Sequence, residues 1–314
     1  MPLISVIIPN YNNAQWLSLC LESCINQSGD FEKEIIVVDD QSTDESWEIL
    51  KKIQKANSNE IFIYRNPEKG GNQARNFGFS RSSGDYIQWL DSDDTLLPGK
   101  FDTQLIFLEN NSTVDIVYSD WRMDYFEDGI KIREELRTSR NHQSFVNTLM
   151  KDEWLPNNSY LLRRKTAELL HKNNAWNLER KVAQDREYFT MAAIYGARFS
   201  YVKGFFSVYN RWSENTVSSI DFKSRLKLNL QLEFKFIELI KEQEWMNRTM
   251  KRELISILKT HELKSCYYDP RLRILNPISF FNIKWGIIHY KMRVVIPFVW
   301  SYQMILYYFN QLRN

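Results

Sequence analysis

Over its first 120 positions the chain alternates short, dense apolar runs with longer segments of helical spacing. Leu3-Ile4-Ser5-Val6-Ile7-Ile8 is almost continuously apolar, as a parallel strand buried on both faces must be. Pro9 to Asn13 ends that run. Trp16, Leu17, Cys20, Leu21 and Cys24 then repeat at helical intervals towards Gln27. Glu34 to Val38 reads as a second buried strand and closes on Asp39-Asp40. Ser42-Thr43-Asp44-Glu45 carries a capping-box signature that predicts a helix from there to about Ala56. Ile61 to Tyr64 is a third strand, Gln73 to Ser82 a helix and Tyr86 to Leu90 a fourth strand. Lys100 to Asn110 is a helix and Asp115 to Ser119 a fifth strand.

Strands alternating with helices in this way predict βαβ units and a largely parallel sheet. Such sheets bind ligands at the carboxyl ends of their strands. Four polar loops fall at that edge: Pro9 to Asn12, Asp39-Asp40, Lys69 to Asn76, and Asp91-Ser92-Asp93-Asp94. The last puts three carboxylates within four positions, where like charges repel and gain nothing from packing. A hard cation such as Mg²⁺ or Mn²⁺, which takes oxygen ligands, gives the cluster a purpose. An isolated D-x-D is more often a solvated acidic turn. The other three loops on the same edge turn the reading towards a site.

Composition narrows the class. The 314 residues are 43% apolar and 25% charged, enough for one large domain or somewhat more. A net charge of +2 offers no global attraction for nucleic acid. Cys20 and Cys24 are spaced as core residues of one helix and Cys266 is remote, which fits a reducing, cytosolic compartment. His142, His171, His261 and His289 show no metal-binding spacing. No signal peptide is expected, since the chain enters a strand at Leu3. No G-x-G-x-x-G follows the first strand and no G-x-x-x-x-G-K-[ST] occurs, which argues against a dehydrogenase and a P-loop NTPase. A phospho-receiver domain carries its acidic pair after the first strand; here the pair follows the second.

Four stretches together resemble the family 2 glycosyltransferases of the α/β GT-A fold: LISVIIPNYNNAQWL from Leu3, EIIVVDDQSTDE from Glu34, GGNQARNFG from Gly70 and GDYIQWLDSDD from Gly84. The likeness is to bacterial surface-polysaccharide enzymes. It covers residues 1–120 well and 150–215 loosely. It implies inverting transfer of one sugar, hexosyl or N-acetylhexosaminyl, from a UDP-sugar, with a dTDP-sugar as the other candidate and Mn²⁺ or Mg²⁺ as cofactor. By the same resemblance Pro9 and Tyr11 would line the base pocket, and Asp40 would accept the imide N–H of the base. Arg75 would bound the donor site, Asp91 would face the ribose or sugar with Ser92 beside it, and Asp93 of the DXD motif would hold the metal. In the segment Val182 to Phe189, Asp185 would be the catalytic base, taking a proton from the acceptor hydroxyl. Gln184 stands where Glu is frequent, which leaves Glu187 as the other candidate. Tyr209 to Ser219 resembles a late loop that closes on the diphosphate, with Arg211 and Ser218 as its phosphate contacts. Trp154 and Trp176 could stack on acceptor sugars, although tryptophans more often serve the core.

These assignments divide the chain. Residues 1–219 form the glycosyltransferase domain, with a donor-binding half over 1–120 and an acceptor half over 121–219. Residues 220–314 form a helical extension, with apolar spacing through Leu226, Leu230, Phe234 and Ile237 and through Leu254, Ile257 and Leu258. From Lys264 onward seven Lys and Arg residues face one acid, Asp269, and aromatic residues lie between them. That pattern predicts a segment lying on an anionic membrane surface, with peripheral attachment to the cytoplasmic face. A lipid-linked or surface glycan acceptor, as in O-antigen or capsule synthesis, fits such a place. The rival readings are a catalytically silent sugar-nucleotide-binding scaffold, a glycoside hydrolase and a processive synthase. A hydrolase needs flanking carboxylates and no nucleotide. A synthase needs a Gln-x-x-Arg-Trp run that Tyr209-Asn210-Arg211-Trp212 lacks.

Overall fold

The computed structural model describes residues 1–140, 155–212 and 222–268, with Val146, Pro297, Ser301, Tyr302, Met304 and Ile305 besides. Two compact units are present. The first comprises Met1–Gln143, Trp154–Ala193 and Ala197–Thr216; the second comprises Ser144–Glu153, Ile194–Gly196 and Val217–Asn314.

The first unit opens with three parallel strands, β1 (Leu3–Asn10), β2 (Glu32–Asp39) and β3 (Ile61–Arg65), joined by helices α1 (Ala14–Ile25) and α2 (Ser46–Ala56). Helix α3 (Gly71–Arg81) leads to β4 (Tyr86–Trp89), which returns to pair with the other side of β1. A short β5 (Thr95–Leu96) and α4 (Lys100–Asn110) follow, then the hairpin β6 (Ile116–Glu127) and β7 (Ile130–Arg137). A 3-10 turn at Asn157–Ser159 precedes β8 (Tyr160–Arg163), α5 (Arg164–Lys172), α6 (Gln184–Ile194) and β9 (Phe199–Trp212). Among the described residues the strand order is β3-β2-β1-β4-β8-β6-β9-β5, with β7 on β6. β8 runs antiparallel to both β4 and β6, and β9 runs parallel to β6.

The chain winds outward from β1 in one direction to β3 and in the other to β4. The crevice between the carboxyl ends of β1 and β4 is therefore a topological switch point, the usual place for a ligand in such sheets. Both faces of the central strands are covered, which is why their sequences are continuously apolar. Ile4, Val6, Ile8, Ile35 and Val37 pack with Leu17, Leu21, Phe101 and Leu105 on one face. Ile36, Val38 and Ala74 pack with Phe62, Tyr64 and Phe77 on the other.

Two expectations change. The fifth strand extends to Glu127 and turns at Asp128-Gly129, both with positive φ (49° and 77°), into β7. Asp-Gly between strand-like segments is the signal for a tight hairpin, and it stood in the sequence unread. The capping box at Ser42 also fails to form. Helix α2 starts at Ser46, and Glu45 at its N-cap makes no side-chain bond, because Ser42 and Asp44 are used by another loop, as described below.

The second unit contains α7 (Phe222–Glu242) and α8 (Arg248–Tyr268). Leu230, Leu232, Phe236, Ile237 and Ile240 are buried on the first; Leu254, Ile257, Leu258 and Leu263 are buried on the second. Leu226 and Phe234, expected in that stripe, are half-buried. Glu233 and Glu262 are buried too, and burial, then the charge of Glu233, pushes Glu262 up to about 8. No helix among the described residues is long and apolar enough to cross a membrane. The basic aromatic segment after Tyr268 lies almost entirely outside the described residues.

Helix α3 carries the third loop into the site, and Gly78 sets how close it lies to the sheet. A Cβ there would meet Ile7 Cγ2 at 2.7 Å and Val38 Cγ2 at 3.2 Å. Gly78→Ala should therefore lower stability by about 1–3 kcal/mol, the usual cost of an extra methyl in a filled core. Chemical denaturation checks it, and an unchanged midpoint would mean that α3 can lift without penalty.

Candidate active site

Loops at the carboxyl edge are tied to one another by polar side chains. β1 ends at Asn10, whose Nδ2 donates to Asp39 Oδ1 at 3.0 Å and whose carbonyl accepts the Asp40 N–H at 2.7 Å. The other Asp39 oxygen accepts the Ser42 N–H at 3.1 Å and Arg65 at 2.7 Å. Asp39 is thus a buried clip. Asp40, the next residue, points the other way, as alternate strand residues do. Its Oδ1 accepts Asn66 Nδ2 at 2.6 Å and the Gly70 N–H at 2.8 Å.

The first loop takes the groups that the capping box would have used. Asn12 donates its N–H to Ser42 Oγ at 2.9 Å and accepts the Thr43 N–H at 2.7 Å. Asp44 accepts the N–H groups of Ala14 at 2.9 Å and Ser46 at 3.0 Å. Asn12 and Gln41 both sit in the left-handed region, at φ 48° and 61°. Pro9 is half-buried within β1. Tyr11 is 47% exposed, and Lys69 from the third loop reaches it, donating to its hydroxyl at 3.2 Å and lying 4.5 Å from the ring centre.

Arg75 on α3 is buried, and its guanidinium joins four segments. It donates to Asp91 Oδ1 at 2.6 Å, to Asn72 Oδ1 at 3.2 Å and to Gln184 Oε1 at 3.3 Å, and it stands 4.7 Å from the centre of the Trp176 ring. Asn72 and Asn76 donate to the carbonyls of Asn177 and Trp176 at 2.7 and 2.9 Å, fastening the segment before α6 to α3.

The three acids after β4 have different surroundings. Asp91 is paired with Arg75. Asp94 is buried and accepts the Asn210 N–H at 2.8 Å and Asn158 Nδ2 at 3.0 Å. Between them, Asp93 is half-buried, and its carbonyl accepts Asn210 Nδ2 at 2.5 Å. Ser92 is buried and accepts Asn13 Nδ2 at 2.9 Å. Burial, then the charges of Asp93 and Asp91, raises the Asp94 carboxyl well above its ordinary range. The Tyr209 hydroxyl is raised by burial, then by Asp94, Asp93, Asp91 and Asp185. These carboxylates therefore share one field.

Asp185 belongs to that field. It lies in the first turn of α6, directly after Gln184 and Ala183, and Ala183 is left-handed at φ 55°. Loss of water, then the charge of Asp91, pushes Asp185 up to about 7, against the opposing pull of Arg75 and the Asn157 N–H. Glu187, the other candidate, is fully buried and accepts Arg180 Nε at 2.8 Å. Trp176 does not offer a ring for stacking. It is 2% exposed, stacked on Tyr188 at 4.4 Å and edge-on to Trp89, with Arg75 also against its ring. Arg211 is exposed near the end of β9, 5.8 Å from the centre of the Tyr125 ring. Ser218 and Trp154 lie outside the described residues. Asn158 and Asn210, which hold Asp94, were not singled out in the sequence, since an asparagine in a strand carries no signal of its partner.

Among the described residues no three His, Cys, Asp or Glu side chains form a metal cage of their own. A diphosphate-bound Mg²⁺ or Mn²⁺ does not need one, because one or two carboxylates plus phosphate oxygens suffice. Asp93 is a half-buried carboxylate of that kind, and the negative field that it shares with Asp91 and Asp94 favours a cation.

A family model described as glycosyl transferase family 2 matches residues 5–168. The chain is 40% identical over 114 residues to an uncharacterized glycosyltransferase of Haemophilus influenzae, covering 36% of this chain and 45% of that protein. It is 37% identical over 124 residues to the Escherichia coli UDP-Glc:alpha-D-GlcNAc-diphosphoundecaprenol beta-1,3-glucosyltransferase WfaP, covering 40% of this chain and 48% of WfaP. The matched stretch thus spans less than half of either relative. Staphylococcus aureus TarS 1-349 in complex with UDP-GlcNAc superimposes with a TM-score of 0.67 at 16% identity, over 96% of this chain and 88% of that one. The mannosyltransferase PcManGT of Pyrobaculum calidifontis, in complex with GDP-Man and Mn²⁺, does so at 0.53 and 15% identity, over 96% and 85%. At such identities the likeness is one of fold.

Asp185 links the site to stability. Its folded value is raised, so its contribution is fully present below the ordinary carboxylate range and is lost as pH rises through about 7. The variant D185N lacks that loss. Its melting temperature should match the wild type near pH 4, exceed it increasingly as pH rises from 4 to 7, and keep a constant margin above that. Parallel melting curves across that range would contradict the burial of the charge.

Proposed function

The chain belongs to glycosyl transferase family 2, and on that premise we propose that it moves one sugar, with inversion, from a UDP-sugar to a lipid-linked or surface glycan. The observation that carries the reading is the grouping of Asp185 with Asp91 and Arg75 beside the acidic loop after β4. A single displacement needs a carboxylate base opposite the leaving diphosphate, and Asp185 beside the acidic loop fits that role. The neighbours are consistent with it. TarS is solved with UDP-GlcNAc, and WfaP bears the name of an enzyme using UDP-Glc and a diphosphoundecaprenol-linked GlcNAc. A dTDP-sugar is the second candidate, since uracil and thymine share the imide N–H.

In this reading Pro9 and Tyr11 flank the base, and Asp40 accepts its imide N–H through Oδ2 while Asn66 and Gly70 hold Oδ1. Arg75 keeps Asp91 oriented towards the ribose or sugar, and Ser92 fixes the loop through Asn13. Asp185 takes the proton of the acceptor hydroxyl as that oxygen bonds to the anomeric carbon. The bond from that carbon to the diphosphate breaks, and its electron pair leaves with the diphosphate. Arg211 and Ser218 bind the phosphates. Asp93 would hold Mn²⁺ or Mg²⁺ against the diphosphate oxygens, where the cation supplies charge neutralisation for the leaving group. Glu187, bonded to Arg180, has no part in the proton transfer. The transferred unit is a hexosyl or N-acetylhexosaminyl group. Residues 1–219 would carry these functions. The basic aromatic composition after Lys264 supports attachment of 220–314 to the cytoplasmic membrane face.

Thermal-shift measurements with UDP, dTDP, GDP and CMP, each with and without Mn²⁺, test the donor site first. UDP should stabilise the protein, and more so with metal. If no nucleotide does, the donor-site reading fails; binding without turnover would instead identify the silent sugar-nucleotide-binding scaffold. D93N should abolish the metal-dependent part of that shift and of transfer. D185N should bind UDP normally while losing about 10²–10⁴-fold in kcat, the usual contribution of a general base. The wild-type rate should fall as pH drops below about 7, where Asp185 takes up its proton. Full turnover by D185N would remove the assigned base. Deleting residues after Asn276 should move the protein from the membrane to the soluble fraction, and an unchanged distribution would rule out attachment through the tail.

A further inference from the structure

The segment that delivers Asp185 has a construction that its role as base does not by itself require. Ala183 lies in the left-handed region at φ 55°, a conformation that costs a residue with a Cβ about 1–2 kcal/mol. The surroundings must impose it. Three bonds bracket it. The Glu187 N–H donates to the Ala183 carbonyl at 3.0 Å, Gln184 Nε2 donates to the Arg180 carbonyl at 3.0 Å, and Arg180 Nε donates to Glu187 Oε2 at 2.8 Å. The last spans the turn from before it to the far side of Asp185. Its two side chains are 8% and 0% exposed. On the other side, the Arg180 N–H donates to the Asn177 carbonyl at 3.0 Å, and that carbonyl also takes Asn72 Nδ2 from α3.

We propose that Arg180 and Glu187 are positioning residues for the transfer reaction, forming a buried clip that holds the strained turn and thereby fixes Asp185 opposite Asp91 and Arg75. The inference rests on Asp185 being the base. Neither clip residue touches the reacting atoms. A buried ion pair is a poor means of gaining stability, because desolvating both charges offsets their attraction. It is a good means of fixing geometry, because each charge tolerates only a narrow set of placements. The clip acts in series with Gln184, which bonds both the Arg180 carbonyl and the Arg75 guanidinium. A shift of the turn therefore moves the base and its charged neighbour together.

The test compares E187Q, the double variant R180M/E187L and D185N, each with melting temperature, donor binding, kcat and pH profile. Asp185 is faced by Asp91, Asp94, Arg75, Tyr160 and Tyr209, none of which these clip variants alter. E187Q should keep donor affinity and lose about tenfold or more in kcat, as a small misplacement of a base does. Loss of the Glu187 charge, which offsets that of Arg180, and water reaching the loosened turn should both move the acid limb of its profile to lower pH. R180M/E187L replaces the pair with apolar groups, so it should recover the melting temperature without recovering kcat. Recovery of both would reduce the pair to a packing element and overturn the proposal. So would E187Q with wild-type kcat and an unmoved acid limb while D185N is inactive. If E187Q does not fold, the double variant decides alone. Turnover by D185N would instead sink the base assignment on which the clip depends.

Discussion

A positive charge that water barely reaches organises the carboxyl edge of this sheet. The Arg75 guanidinium is 8% exposed and must find its acceptors within the protein. It finds them on three other pieces of chain: Asp91 after β4, Gln184 at the start of α6 and Trp176 before it. Each contact fixes a segment that has no regular partner in the sheet. The same charge is what lets Asp91 and Asp185 stand close together, since it opposes their repulsion from the centre of the group. Removing Asp91 would leave the guanidinium short of an acceptor; removing the guanidinium would leave both acids unopposed.

The βαβ half was legible because burial on both faces writes itself into sequence. Leu3 to Ile8 and Glu34 to Val38 read as strands for the same reason that they pack as strands. The glycosyl transferase family 2 resemblance and the loops at the sheet edge followed from local motifs. Long-range partnership left no such mark. Ser42 and Glu45 have the spacing of a capping box, yet Ser42 and Asp44 bond the first loop 30 positions upstream, at Asn12 and Ala14. Nothing local distinguishes the two uses of a serine or an aspartate. The hairpin at Asp128-Gly129 was a different kind of miss, since its turn signal was present.

Among the candidate site residues, chemical type was legible in the string, and partners only in the fold. Asp91, Asp93 and Asp94 look equivalent in a string. In the fold one is paired with a guanidinium, one is held by two asparagines and one remains half-buried between them. Asp185 and Glu187 were likewise two acids at one helix start. The helical spacing sends them to different surroundings, Asp185 towards the acidic loop and Glu187 inward to Arg180. Trp176 shows the reverse case, a residue whose chemistry suits a sugar and whose position is wholly interior.

The loops at the carboxyl edge are bonded to one another: Asn12 to Ser42, Asn13 to Ser92, Asp40 to Gly70 and Lys69 to Tyr11. Their conformations are set before any ligand arrives. A ligand entering such a frame orders little chain, so little conformational entropy is lost on association. The frame also ties discrimination to rigidity. A ligand of the wrong shape cannot be accommodated by moving one loop, because each loop is fastened to the next.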